Sequence, residues 1–522
     1  MHEHDREPRV PAARHSRANG PRMMAPAKSP AQRTLRAFAL TALASTLAAC
    51  MVGPDYVRPE SVASAQFAHA PADAAAVAAA PAADDAFWRS FGDPLLDRLV
   101  QEALTANHDL RIALATRDRV LAEWRGARFD ALPVVTAGAE AADARASADQ
   151  LPGADRDARD AERYGVTLAA SWELDLFGRI RRTLEAGHAD ADAATADLAA
   201  AQVAIAGDLA RSYFELRGLQ ERLRVARANV DNQRGTLRLV DARFEAGGAN
   251  DFDTARARAQ LESTLAMIPA LEAQAAFSMH RIAVLAGRAP DALLAQLSEP
   301  VALPALPARI DPGTPGELLR QRPDVASAER RLHSATARIG VATADLFPRF
   351  TLGGLLGTQA VDPSALFARD SESRLVALGI DWSFLDVGHV RARIAASEAD
   401  AAAALARYEQ SVLLALEDTE NALVRYARAR SEDAHLERAA ADSERAAALA
   451  RVRFEAGATG LFEVLDAERT RLQAQDAHAA ARTRSATGAV ALYRALAGGW
   501  PALEPAGAGV AAALPSPRSR AP

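Results

Sequence analysis

WELDLFGRIRR at Trp172–Arg182 and WSFLDVGHVRA at Trp382–Ala392 stand 210 residues apart and agree at Trp172/Trp382, Gly178/Gly388 and Arg181/Arg391. The same offset separates two copies of RFEAG, Arg243–Gly247 and Arg453–Gly457. A further pair, Leu132-Pro133 and Phe347-Pro348, lies 215 apart, as loops of unequal length require. Repetition at one long period marks an internal duplication, so the chain is read as two copies of one unit. Each copy runs helix, strand, loop, strand, long helix, turn, helix.

Within the first copy, Tyr164, Val166, Leu168, Ala170, Trp172 and Leu174 alternate with small or polar residues. A strict period of two predicts a strand with one apolar face; a soluble sandwich strand would look the same in isolation, but the length and the aromatic residues near both ends favour a membrane barrel strand. Val134–Ala142 is a weaker partner strand, and Asp143–Arg163 reads as a polar loop. The second copy predicts strands at Arg349–Gly357 and Leu375–Phe384, with Val376, Leu378, Ile380, Trp382 and Phe384 on one face. From Gly178 to Glu245, and again from His389 to Glu455, an alanine-rich helical pattern runs without proline for a length of about 100 Å. Glycines close each run, and Asp253 is a candidate cap for the next helix. Shorter helices are expected over Leu95–Arg128, Phe252–Ala286 (with a kink at Pro269), Glu317–Leu346 and Leu461–Leu496.

Of the 522 residues, 49% are hydrophobic but only 5% aromatic, which favours closely packed long helices over a bulky core. The net charge of −6 gives no reason to expect nucleic acid. Leu35–Ala49 is an apolar run behind Lys28, Arg33 and Arg36, shaped like a secretory signal and too short to span a bilayer. Residues 1–22 read as an overlong start, with Met23 or Met24 the initiator. The only cysteine, Cys50, follows Leu47-Ala48-Ala49, so no disulfide within the chain is possible. The expected organisation is a signal region at 1–49, an extended tether at 50–86, a first repeat at 87–288, a Pro-rich connector at 289–315, a second repeat at 316–500 and a disordered tail at 501–522. Four strands cannot span a bilayer as an open sheet, because edge N–H and C=O groups would go unsatisfied in hydrocarbon; a spanning chain must oligomerise.

Gly53-Pro54-Asp55-Tyr56, Trp88, Phe91–Pro94, Trp172–Gly178, Arg322-Pro323-Asp324, Ala328-Glu329, Ala344 and Phe347-Pro348 occur in an order that resembles the outer-membrane factor (TolC-like) family, in its OprM/NodT-like lipoprotein branch. Leu47–Cys50 likewise resembles a lipobox, with Cys50 the acylated first residue and Met51 behind it pointing to the outer membrane. The resemblance implies a membrane β-barrel of twelve strands, four per chain, closed only as a homotrimer and continued by a long α-helical barrel in the periplasm. It implies a passive exit duct for drugs or small toxic compounds, served by a periplasmic membrane-fusion adaptor and an inner-membrane transporter such as a proton-driven pump. Alternatives are a duct for type I protein secretion and a periplasmic helical scaffold that never crosses the membrane.

The turns between helices would then form the periplasmic mouth and meet the adaptor through Arg243, Phe244, Gly247, Gly248, Arg453, Phe454, Gly457 and Gly460. The glycines would permit reversal, the arginines would hold the tip closed and the phenylalanines would pack there; a plain helix C-cap explains RFEAG equally well. Asp251, Asp253, Thr459 and Glu463 are candidate gate positions: acidic rings of Asp251, Asp253 and Glu463 around a threefold axis are set against ordinary helix-start carboxylates, and Thr459 stands where the resemblance would place an acid in the second turn. Trp172 and Trp382 are candidate membrane-interface anchors beside the outer-membrane lipid. His108, His333, His389 and His435 are scattered without a nucleophile or ligand set, so no enzyme, cofactor or metal is expected.

Overall fold

A computed structural model describes residues 51–60, 64–70, 86–307 and 310–496. The signal region, Cys50 and the tail beyond residue 496 lie outside the described residues. Helices α1 (Pro94–Ala106) and α2 (His108–Ala127) lead to strands β1 (Val134–Arg145) and β2 (Asp160–Leu174), then α3 (Arg179–Glu245), α4 (Asp251–Leu265) and α5 (Met267–Leu285). The connector holds one helical turn, Leu294–Leu297. The second copy follows as α6 (Pro315–Gln321), α7 (Pro323–Ala344), β3 (Arg349–Ala360), β4 (Glu372–Asp381), α8 (Val387–Glu455) and α9 (Leu461–Ala495).

The long helices are 67 and 69 residues, about 100 Å each. Three short helices depart from the expected spans, each for a local reason. Leu95–Arg128 breaks at Asn107, whose Oδ1 accepts the N–H groups of Asp109 and Leu110 while its Nδ2 donates to the Leu285 carbonyl. Phe252–Ala286 breaks at Ala266: Pro269 cannot donate to the Leu265 carbonyl, so the helix restarts at Met267. Glu317–Leu346 breaks at Arg322, where Pro323 pushes its predecessor to ψ 119°. The first-copy hairpin is longer than expected at both strands, and β4 stops at Asp381, leaving Trp382 and Phe384 beyond it.

The strands form one antiparallel sheet in the order β1-β2-β3-β4, so the central pair, β2 with β3, joins the two copies. Helix α3 is the spine of the helical body and packs against α2, α5, α7 and α9. The core lies at its mid-length, where Tyr213, Phe214 and Leu216 meet Phe87, Phe91, Leu96, Ile282 and Leu297. The connector is fastened there by buried polar groups: Arg217 Nη1 donates to the Glu299 carbonyl and Gln220 Nε2 to the Leu297 carbonyl. Elsewhere alanine and glycine allow close approach. A Cβ on Gly218 would stand 2.0 Å from Thr483 Oγ1, so α3 and α9 all but touch.

Candidate functional site

The sheet separates its residues by parity. Val135, Ala137 and Ala139 of β1 pair with Ala170, Leu168 and Val166 of β2, which pair in turn with Gly354, Leu356 and Thr358 of β3. Leu352, Phe350 and Gly354 oppose Leu378, Ile380 and Val376 of β4. One face is thus largely apolar across all four strands, with Thr358, Arg374 and Glu372 at its loop end, and its large β4 side chains are exposed: Val376 by 81% and Ile380 by 62%. The other face carries mostly Gly, Ala, Ser and Thr, with Glu140, Arg163, Glu173, Arg349, Gln359 and Asp381 and a Leu355–Leu375 pair. A sheet in water would turn the larger apolar face inward, so this one is built for hydrocarbon outside and water inside. That arrangement favours a spanning sheet over the non-spanning scaffold. Strands β1 and β4 each keep one unpaired edge within the chain, which closure with further copies satisfies.

At the helical side of the sheet the two duplicated marks touch in each copy. Trp172 Nε1 donates to the Ala131 carbonyl and Trp382 Nε1 to the Leu346 carbonyl, both at 3.0 Å. These acceptors sit just ahead of the Leu132-Pro133 and Phe347-Pro348 corners, so each indole ties the end of a returning strand to the corner from which the outgoing one leaves. The rings stay partly exposed, at 37% and 53%.

The far ends of the helices differ from expectation in several details. In the first tip the Gly248 N–H reaches the Arg243 carbonyl at 2.7 Å and the Gly247 N–H reaches that of Phe244 at 3.0 Å. Ala458 with Arg453 and Gly457 with Phe454 repeat this at 2.8 and 3.0 Å, so both RFEAG segments end in Schellman caps. Only Gly247 and Gly457 take positive φ, +77° and +74°; Gly248 does not, and Gly460 is extended at φ −84°. Asn250, not Asp253, caps α4, its Oδ1 accepting from the Asp253 N–H.

The two phenylalanines part company. Phe454 is buried among Val240, Leu461 and Val464, whereas Phe244 is 46% exposed. The arginines diverge too: Arg243 donates through Nη2 to the Phe454 carbonyl at 2.9 Å, with its guanidinium 3.9 Å above that ring, while Arg453 is exposed and enters its turn through its carbonyl. Asp251, Asp253 and Glu463 occupy first helical turns, where the dipole favours them, and Thr459 is half-buried in the second tip.

The sequence reading missed a buried polar seam behind the tips. Glu468 on α9 is 2% exposed at its side chain; its Oε1 accepts from Arg451 Nη2 of α8 at 2.8 Å and from Thr236 Oγ1 of α3 at 2.9 Å. Arg451 also reaches the Asn232 carbonyl of α3 at 3.3 Å. Nearby, Arg471 binds Asn229 Oδ1, and Arg222 forms a two-bonded pair with Asp476. Charged residues on alanine-rich helices look solvated in sequence, and nothing local marks these as facing inward.

The model of the family described as outer membrane efflux protein matches residues 99–288 and 314–498. The outer membrane protein OprJ of Pseudomonas aeruginosa is 33% identical over 475 residues, covering 89% of this chain and 96% of the relative. Nodulation protein T of Rhizobium leguminosarum bv. viciae is 32% identical over 445 residues, covering 83% and 87%. Among solved structures, that of the outer-membrane channel OprN superposes with a TM-score of 0.80 at 42% identity, over 86% of this chain and all of that one.

Proposed function

The chain belongs to the outer membrane efflux protein family, and we propose that it is a passive exit duct for drugs or small toxic compounds. It is the outer-membrane channel of a tripartite efflux system, working with a periplasmic adaptor and an inner-membrane pump. Its sheet closes only in a trimer, as a twelve-stranded barrel continued by the long helices. The observation that carries the reading is the largely apolar face that runs in register across all four strands and ends at two open edges. The opposite face, small and mostly uncharged, supports passage without a dedicated binding pocket.

We infer further that Cys50 carries the lipid anchor. The pump is proton-driven. The two tips form the periplasmic mouth, where Arg243, Phe244, Gly247, Gly248, Arg453, Phe454, Gly457 and Gly460 meet the adaptor, and around the threefold axis Asp251, Asp253, Thr459 and Glu463 line the narrowest passage. Trp172 and Trp382 stand at the membrane interface.

The test is single-channel conductance of the purified protein in planar bilayers, alongside its mass in detergent. We expect a trimer with discrete pores, and longer openings when Arg243→Ala and Arg453→Ala are combined. A monomer that stays silent with both tips altered would overturn the duct; a trimer whose pores ignore both changes would overturn the arginines as its lock.

A further inference from the structure

The segment after Cys50, expected to be an extended tether, is extended and bound to the body over Met51–Arg58. Its first contacts are steric. A Cβ on Gly178, at the start of α3, would stand 2.5 Å from the Met51 side chain, and one on Gly53 would stand 2.4 Å from the Cα of Gly340 in α7. Val52 N–H donates to the Phe177 carbonyl at 3.2 Å, and the Phe177 ring stacks on Phe347 at 4.5 Å, so the β2–α3 turn, the segment and the α7–β3 corner form one contact.

At the centre lies Arg182 of α3, only 1% exposed. Its guanidinium donates to the carbonyls of Val52 and Gly53 at 3.2 and 3.3 Å, to Asp55 Oδ1 at 2.7 Å and to Glu185 Oε2 at 2.8 Å. Three of those four acceptors come from the segment. On the α7 side the Tyr56 ring stacks on His333 at 4.4 Å, and the Tyr56 hydroxyl donates to Glu329 Oε1 at 3.3 Å. His333 Nε2 lies 2.9 Å from Glu185 Oε1, which closes the circuit back to α3, and Arg58 pairs with Glu329 at 2.9 Å.

A buried cation with most of its acceptors removed is strongly destabilising, so α3 cannot keep Arg182 buried in this place unless the segment is seated. Strand β2 runs into α3 through Phe177 and Gly178, and β3 leaves α7 through Phe347. The circuit therefore sits directly beneath β2 and β3, the strand pair that joins the two copies. We propose that Met51–Arg58 is a clasp whose seating holds α3 and α7 at the spacing under which β2 and β3 pair, so that barrel closure depends on it. The clasp gives Gly53–Tyr56 and Glu329, far apart in sequence, one shared task. It stands whether or not Cys50 is acylated.

The experiment replaces residues 52–58 by a Gly/Ser linker of equal length in the full chain, leaving residues 1–51 unchanged. A second variant combines Asp55→Ala with Tyr56→Ala. Trimer mass, pore conductance and helix content by circular dichroism are measured for both. We expect near-normal helix content, with the yield of conducting trimers lowered about tenfold in the double variant and further in the linker variant. Wild-type trimer and pore yields in either variant would overturn the clasp. So would equal loss of helix content and pores in the double variant, because the segment would then support the whole body and not the barrel junction.

Discussion

Arg451→Ala tests the seam behind the tips. The change strips Glu468 of its hydrogen-bonded cation while leaving the carboxylate buried, with Thr236 Oγ1 its remaining donor and Arg471 the cation still within electrostatic reach. Removing one partner of a buried ion pair costs about 3–5 kcal/mol, and because Arg451 is itself 36% exposed, the lower end applies, about 3 kcal/mol. Arg451 and Glu468 both belong to the α8–α9 hairpin, so on the proposal that the mouth opens by swinging this hairpin off α3 the pair survives opening, but there it meets water and contributes under about 1 kcal/mol. The closed arrangement therefore loses about 2–3 kcal/mol more than the open one, which shifts their ratio roughly a hundredfold at about 1.4 kcal/mol per decade. The assay is the open-to-closed dwell ratio of single trimers in planar bilayers. Adding Glu468→Gln removes the stranded charge and should bring the ratio back to within about tenfold of wild type, because a buried amide costs less than a buried carboxylate. A single variant that gates like wild type, or a double variant as open as the single, would refute the seam as a restraint on the mouth.

Gly218→Ala should lower thermal stability by about 1–3 kcal/mol, since its Cβ would collide with Thr483, and Thr483→Ala should recover part of the loss; calorimetry of the pair decides. Trp172→Phe and Trp382→Phe each remove an indole donor from a corner carbonyl while keeping the ring, and should each cost about 1 kcal/mol in the trimer's melting, nearly additively. If the rings served only as lipid anchors, Phe would melt like wild type. Asp433 has its pKa raised by burial; His478 Nε2 is 3.5 Å from its Oδ1 but not in hydrogen-bond geometry. A raised carboxyl binds its proton more tightly when folded, so its contribution to stability grows as pH falls from the raised value towards the ordinary one. Asp433→Asn should accordingly stabilise the protein at neutral pH and flatten that part of its pH profile, as urea titrations across the range would register.

Much of the local structure is legible in the residues. Period-two alternation marks β2, the absence of proline marks α3 and α8, and Gly247 and Gly457 mark their ends, because strand pleat, helical hydrogen bonding and positive φ act over a few neighbours. The helix breaks were only partly readable. Pro269 announces its own, and Pro323 acts on Arg322, but Asn107 interrupts its helix by also binding the Leu285 carbonyl, 178 residues away.

The candidate site divides along the same line. RFEAG is one local signal written twice, and both copies fold into the same cap; yet Phe454 is buried and Phe244 exposed, because Phe454 meets a cluster drawn from α3, α4 and α9 that Phe244 does not join. The sequence by itself determined the duplicated units, their strands and long helices, and, since four amphipathic strands cannot satisfy their own edges in hydrocarbon, the need for further copies. Tertiary structure alone decided that Arg182 closes on Val52, Gly53 and Asp55, that Arg451 and Glu468 face inward, and that each indole finds a corner carbonyl. Those groups are satisfied by partners far along the chain, and a side chain's charge says only that it needs a partner, not where packing will place one.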